Sequence, residues 1–230
     1  IDGSGGDDII TIAAAGKGDT DVMDGGANDD VLQLSTGAHT FADDDKLKNI
    51  EEVKTNSSGS EVVLTAQTEA LKITGGAGVD KITGGAGVDT IDGGAGDDII
   101  TGGGGLDNLT GGTGNDSFNV DSAYDTVNDL GGSSGSESDI VIVKNVALLN
   151  AINILSFTAT NASSNAGTAT FTAKNGVDST INLLLVTGSG TFFINGSDGS
   201  DTIVASAQGA TITGGAGDDI ITGGSGNDII

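Results

Sequence analysis

The chain has 230 residues, 41 of them glycine, and contains no proline, cysteine or tryptophan. Its 33 acidic residues against 8 basic ones give a formal charge of −25, which excludes nucleic acid and anionic lipid as partners, because both require basic groups that displace counterions. The missing cysteine excludes a disulfide framework and any thiolate metal site.

Taken in chain order, the sequence opens with IDGSGGDDII and closes with GGSGNDII. Both ends fall inside repeat units, so the chain reads as a segment of something longer. No apolar run reaches the roughly 18 residues of a membrane span, and the first residues lack the basic start and apolar stretch of a signal peptide. Three imperfect nine-residue units come first: GSGGDDIIT with Asp8, GKGDTDVMD with Asp21, and GGANDDVLQ with Asp30. Ser4, Lys17, Asp19 and Asn28 interrupt their glycine pattern. In TFADDDKLKNIEEV the residues Leu47, Ile50 and Val53 fall three apart, which suits either one short helix or a coil without ligands.

From Gly75 to Asn119 the unit G-G-x-G-x-D-x-U-x, with U large and apolar, repeats five times. Leu64, Ile73, Ile82, Ile91, Ile100, Leu109, Phe118 and Val127 stand nine apart. Two residues before the later members stand Asp80, Asp89, Asp98, Asp107, Asp116 and Asp125. The motif then lapses over 129–193. There VALLNAINIL (146–155) suggests a short helix with an apolar face, and TATFTAKNGVDSTINLLLV (168–186) suggests a strand pair turning at Asn175-Gly176. The frame returns at Ile194, Ile203, Ile212, Ile221 and Ile230, with Asp201, Asp219 and Asp228 at the aspartate position. The unit ASAQGATIT (205–213) keeps its apolar residue without an aspartate.

A helix cannot carry this pattern, since each glycine costs about 1 kcal/mol relative to alanine. A three-residue strand x-U-x with its middle side chain inward can carry it, and glycine supplies the positive φ of the turn between strands. Two nonapeptides then form one coil, and stacked coils bury a ladder of apolar residues. The expected fold class is all-β: a parallel beta-roll or solenoid interrupted by β-rich spacers. The expected divisions are 1–33 degenerate coils, 34–74 a ligand-poor spacer, 75–128 the main roll, 129–193 a β-rich spacer, and 194–230 a second roll continuing past its last residue.

Glycine runs of this density also occur in phosphate cradles and flexible linkers. A phosphate-binding G-x-G-x-x-G needs a helix after it, and Gly76-Ala77-Gly78-Val79-Asp80-Lys81 offers neither the last glycine nor the helix. Gly16-Lys17 is followed by Gly18 instead of Ser or Thr, so it is no P-loop. A linker would not keep an apolar residue at every ninth position. Metal binding is left. Hard cations such as calcium take six to eight oxygens from carboxylates and backbone carbonyls, and magnesium fits less well because it retains waters and a strict octahedron. Equivalent turns of successive coils lie about 4.8 Å apart, a gap an ion can share.

The units GGAGVDKIT, GGAGVDTID, GGAGDDIIT, GGGGLDNLT and GGTGNDSFN resemble the RTX repeats of bacterial proteins. The resemblance implies a parallel beta-roll with calcium between successive turns, export by a type I secretion system, and folding outside the cell. It carries a ligand role to Asp80, Asp89, Asp98, Asp107, Asp116, Asp125, Asp201, Asp219 and Asp228, and to Asp8, Asp21 and Asp30. It extends that role to turn carbonyls at Gly76, Gly78, Gly85, Gly87, Gly94, Gly96, Gly103, Gly105, Gly112, Gly114, Gly215, Gly217, Gly224 and Gly226.

Catalytic patterns are missing from the sequence. There is one histidine, His39, which reads as a surface or loop residue and has no second histidine for an H-E-x-x-H motif, and Gly188-Ser189-Gly190 sits in a Thr/Ser-rich loop without the flanking pattern of a serine-hydrolase elbow. The chain is therefore expected not to be an enzyme. Three roles are compatible with it: a surface-layer lattice subunit that self-associates with calcium, a segment of a large RTX adhesin, or the carboxyl-terminal roll of a secreted protease, lipase or toxin. The first is favoured, since the long Ala/Thr/Ser/Asn/Gly-rich stretches suit a structural protein.

Overall fold

Alternation of inward apolar and outward polar residues, interrupted every few residues by glycine, drives the chain into short parallel strands that coil about one axis. The computed structural model describes residues 1–13, 21–56, 58–121, 124–131, 137–144, 147–160 and 163–230. Its strands form an 11-stranded, an 8-stranded, a 4-stranded and a 2-stranded sheet. The first runs in chain order from Ile9–Ile12 through Lys72–Ala77, Thr90–Ala95, Asn108–Thr113, Asp125–Val127, Leu148–Ile154, Thr168–Ala173 and Thr191–Asn195 to Ala210–Thr213. The second faces it from Gly37–Thr40 to Thr187–Gly188 and includes Lys81–Thr83, Ile99–Thr101 and Ser117–Val120. All the pairings are parallel, as an all-β solenoid requires. Among the described residues no helix is long and apolar enough to cross a membrane.

The nine-residue frame is the core. Ile73, Ile82, Ile91, Ile100, Leu109, Phe118 and Val127 are all fully buried, alternating between the first and second sheets. Leu64 is buried too but follows the strand Ser60–Val63, and it is Val62 that stands opposite Ile82, because this coil is 20 residues long and not 18. Lys72, Thr90 and Asn108 are successive register partners, so one coil of the main roll takes 18 residues. The spacers run in the same stack with longer coils. Asp125 pairs with Leu149, a step of about 24 residues, and Thr168 pairs with Thr191. The added length opens a third side: Ser156–Thr158 and Thr180–Asn182 begin a 4-stranded sheet that runs on as Thr202–Val204 and Ile220–Thr222, where the coil is again 18 residues. A three-sided coil has a wider interior, and phenylalanines fill it. Phe157 stacks on Phe171 with centroids 5.9 Å apart, and Phe171 on Phe192 at 6.5 Å.

Several sequence expectations change here. Residues 148–154 form a strand, not a helix, because the sheet buries Leu149, Ala151 and Ile154 on one side; Val146 lies outside the described residues. The strand pair expected over 168–186 does not form as a hairpin. Thr168–Ala173 belongs to the first sheet and Thr180–Asn182 to the third, each pairing with the coils before and after it. Cross-coil pairing satisfies both edges of each strand, whereas a hairpin satisfies one. In 41–54 the chain makes a single 3-10 turn, Asp44–Lys46, and then the strands Leu47–Lys48 and Glu52–Lys54, so the coil alternative holds. His39 is fully buried and inward-facing, with Nε2 2.9 Å from the Ser35 carbonyl. Its strand pairs with Ser60–Val63, which places His39 opposite Val62 in the core column.

Where the first spacer meets the main roll, ion pairs bridge adjacent coils on both faces. Glu52 contacts Lys54 and Lys72 at 2.7 Å each, and Glu61 contacts Lys81 at 2.6 Å. The core itself predicts a measurable cost. Phe171→Ala removes the middle ring of the aromatic stack, and a loss of about 3–5 kcal/mol of stability is expected, measured by denaturant unfolding with calcium present.

Candidate metal centre

Each repeat ends its glycine turn on an aspartate that points inward, and the coils stack those aspartates into columns. Asp80, Asp89, Asp98, Asp107, Asp116 and Asp125 are each 2% exposed or less. Oδ1 of every one accepts the backbone N–H of its counterpart one coil earlier. Asp80 donates to Asp98 at 2.7 Å, Asp98 to Asp116 at 2.8 Å, Asp89 to Asp107 at 2.8 Å and Asp107 to Asp125 at 3.2 Å. The columns begin where Ser60 donates to Asp80 and Leu71 to Asp89. Oδ2 turns back over the turn of its own repeat. Gly76 N–H reaches Asp80 Oδ2 at 3.0 Å, and Gly85 N–H reaches Asp89 Oδ2 at 2.8 Å. For Asp8, Asp30, Asp98, Asp107 and Asp201, Oδ2 is buried with no hydrogen-bond partner. A buried carboxylate oxygen left this way is costly unless a proton or a cation meets it.

The turns supply oxygens around these carboxylates. Gly94, Gly96, Gly103, Gly105, Gly112, Gly114, Gly215, Gly217 and Gly224 adopt positive φ, and Gly76, Gly78, Gly85, Gly87 and Gly226 occupy the equivalent turn positions. At the second glycine of a unit a side chain would collide with the preceding coil: a Cβ on Gly112 would lie 1.9 Å from the Gly94 carbonyl oxygen. Carbonyls of successive turns therefore line up along the stack. Among the described residues no three acidic or imidazole side chains gather closely enough to hold a metal by themselves. One carboxylate per turn plus backbone carbonyls is a donor set that fits a hard cation of high coordination number, and the residues present fit calcium.

The structure also assigns roles that the sequence pattern missed. The first glycine of each unit is required by the carboxylate: a Cβ on Gly102 would sit 2.4 Å from Asp107 Oδ2, and one on Gly93 2.5 Å from Asp98 Oδ2. Asp139 extends one column into the spacer, with Oδ1 accepting Asp116 N–H at 2.8 Å and Oδ2 accepting Gly131 N–H at 2.6 Å. Its signal is the triplet Asp139-Ile140-Val141, which repeats D-x-U outside the nine-residue frame. At the other end, Asp8 N–H donates to Asp30, and Asp30 N–H donates to Glu51. Glu51-Glu52-Val53 is the same triplet with glutamate. Asp201 is buried and Asp219 half-buried in a matching column, Ser179 to Asp201 to Asp219, while Asp228 accepts Ala210 N–H. Asp21 is exposed and joins no column; Gly16, Lys17, Gly18 and Asp19 lie outside the described residues. In the first-sheet column the acids give way to Leu71, Leu149, Ala169, Phe192 and Ala210, all buried.

Stacking shapes the electrostatics. Burial first, then neighbouring carboxylates, pushes Asp98 and Asp139 up to about 6 and Asp107 and Asp116 up to about 7, against backbone hydrogen bonds that pull them down. Burial likewise raises Asp89, Asp129 and Asp201.

The model of the RTX calcium-binding nonapeptide repeat, in four copies, matches residues 15–38, 72–100, 83–118, 92–127 and 195–230, together just over half of the chain. No curated protein and no solved structure matches it. The chain belongs to the family of RTX calcium-binding nonapeptide repeat proteins.

Two outcomes follow for the cation. At pH 8 a calcium chelator is expected to abolish most of the strand signal in circular dichroism, and unchanged strand content would refute a folding role for calcium. The second outcome concerns pH. A folded aspartate near 7 binds its proton more tightly than an unfolded one near 3.8, so without cation stability is lowest above pH 7 and rises as pH falls from about 7 toward 4. The chelated protein is expected to regain strand structure at pH 5, and more calcium is needed for half-maximal folding at pH 6 than at pH 8. Equal strand content of the chelated protein at pH 5 and pH 8 would contradict this assignment.

Proposed function

We propose that this RTX repeat chain is a calcium-folded structural segment of an extracellular bacterial protein, specifically a surface-layer lattice subunit exported by a type I system. Calcium acts as a folding cofactor. It would supply positive charge to carboxylates that otherwise repel one another, so that its binding energy becomes folding energy. The aspartates of the columns would hold it through Oδ2, with the glycine-turn carbonyls completing the shell. The chain's own part is to stack those oxygens by cross-coil hydrogen bonds and to keep bulk water out with the apolar frame.

The observation that carries the structural reading is continuity. Coils without the repeat motif run in register with those that have it, so the spacers lengthen one rod with broad sheet faces. The single histidine, His39, rules out an H-E-x-x-H zinc site and lies buried in the core opposite Val62 with Nε2 on the Ser35 carbonyl, which favours a chain without catalytic activity of its own. A low calcium level inside the cell would keep the chain unfolded for export, and the extracellular level would fold it.

Negative-stain electron microscopy of the purified protein tests the lattice. Ordered sheets or tubes are expected with calcium and should disappear on chelation. Isolated rods in calcium would reject the lattice and point to an adhesin stalk or an enzyme's accessory roll.

A further inference from the structure

One edge of the main roll carries an apolar ridge that the calcium columns do not use. Thr90, Asn108 and Thr126 are register partners in consecutive coils. The residues two positions before them, Val88, Leu106 and Tyr124, therefore stack in a single line, each next to a buried column aspartate. They are 56%, 55% and 63% exposed. The line continues to Ala70 at one end and to half-buried Leu148 at the other. Tyr124 holds φ at +68°, a left-handed conformation that is unfavourable for a bulky aromatic residue, and it displays its ring to solvent there. The equivalent line on the opposite edge starts at Val79 but continues as Asp97 and Asn115, which hydrogen-bond to each other. The ridge is thus a property of one edge and not of the repeat.

We infer that this ridge is a contact between two copies of the chain, packed antiparallel about a twofold axis near Leu106. Three observations select a second copy. The first is charge: a chain carrying −25 is repelled from most of its own surface, yet Thr90, Asn108, Thr126, Gly87 and Gly105 beside the ridge are all uncharged. The aspartates that follow the ridge residues, Asp89, Asp107 and Asp125, are buried, and beside Ala70 at one end stand the exposed Glu69 and Lys72. A cationic partner would be drawn to the acidic faces instead. The second is spacing. Side chains about 4.8 Å apart along one ridge interleave with the same spacing on another, and a self-complementary patch closes about a twofold axis. The third is size. Three half-exposed side chains amount to a few hundred Å², below the roughly 800 Å² per partner of a stable dimer. The contact is therefore weak alone and suits an array in which many copies of it add. The inference deepens the lattice reading and rests on it for the assembled state.

The test uses the full chain in millimolar calcium. Sedimentation velocity is expected to show concentration-dependent self-association of the unmodified protein. Leu106→Glu should weaken it at least tenfold, while Val79→Glu on the opposite edge leaves it unchanged. Circular dichroism of both variants should show the calcium-dependent fold intact. Because the chain has no cysteine, Leu106→Cys provides an independent reading: oxidation should yield a covalent dimer at least tenfold faster than Val79→Cys does. An unmodified protein that stays monomeric, or a Leu106→Glu variant that associates normally, overturns the inference. So does a monomer that instead floats with neutral phosphatidylcholine vesicles, which would assign the ridge to lipid. Sheets that persist in Leu106→Glu keep the lattice and reject the ridge; ridge-dependent dimers without sheets keep the ridge and reject the lattice.

Discussion

The fold depends on one hydrogen bond repeated along its length: a buried aspartate Oδ1 accepting the backbone N–H of its counterpart in the preceding coil. It is made at 2.7–2.8 Å through Asp80, Asp98, Asp116 and Asp139 and again in the column of Asp89, Asp107 and Asp125. It links each coil to the next at the point where the chain turns and no strand ladder operates. The same bond brings like charges within a strand spacing of one another, so the contact that aligns the coils also sets them in opposition. A cation requirement is expected from this arrangement, because the aspartate that makes the turn contact also carries a carboxylate into a buried column.

Apolar coils avoid the conflict. Where the first-sheet column changes from aspartate to Leu149, Ala169 and Phe192, the coil lengthens and gains a third side, and stacked phenylalanines replace charge with packing. Two solutions to the same problem thus alternate along one axis. One is compact, glycine-rich and ionic; the other is wider and closed by aromatic rings. The Glu52–Lys72 and Glu61–Lys81 pairs sit where the first solution takes over from the ligand-poor coils.

The period of nine made the main roll legible, because a buried residue in every successive strand leaves no freedom in spacing. Every frame member from Leu64 to Val127 lies in the core. The aspartates of 75–125 were legible for the same reason, since each is tied to that frame by two residues. Legibility failed where coil length varies. Asp139 stands 23 residues after Asp116 and Glu51 is a glutamate, so neither falls in the period, although both keep the acid-x-apolar triplet. His39 was misread because imidazole looks polar, while its position opposite Val62 is set by strand parity. The hairpin over 168–186 was misread because Asn-Gly marks a turn without saying whether the strands on either side meet each other or their neighbours above and below. The first glycine of each unit was visible as a letter, but its reason, the carboxylate folded over it, is a contact between residues five apart that no periodicity reveals.

The alternation of coil types has a mechanical consequence. A load drawn along the axis passes through every rung in series, so the rod is only as strong as its weakest stretch. With cations bound the ionic coils are cross-braced at both turns of each rung, and the aromatic coils rely on packing and strand ladders alone. Without cations the order reverses, and the stretch from 75 to 128 becomes the compliant one. The yield point of the rod is thus set by the solution around it, at a place fixed by the sequence.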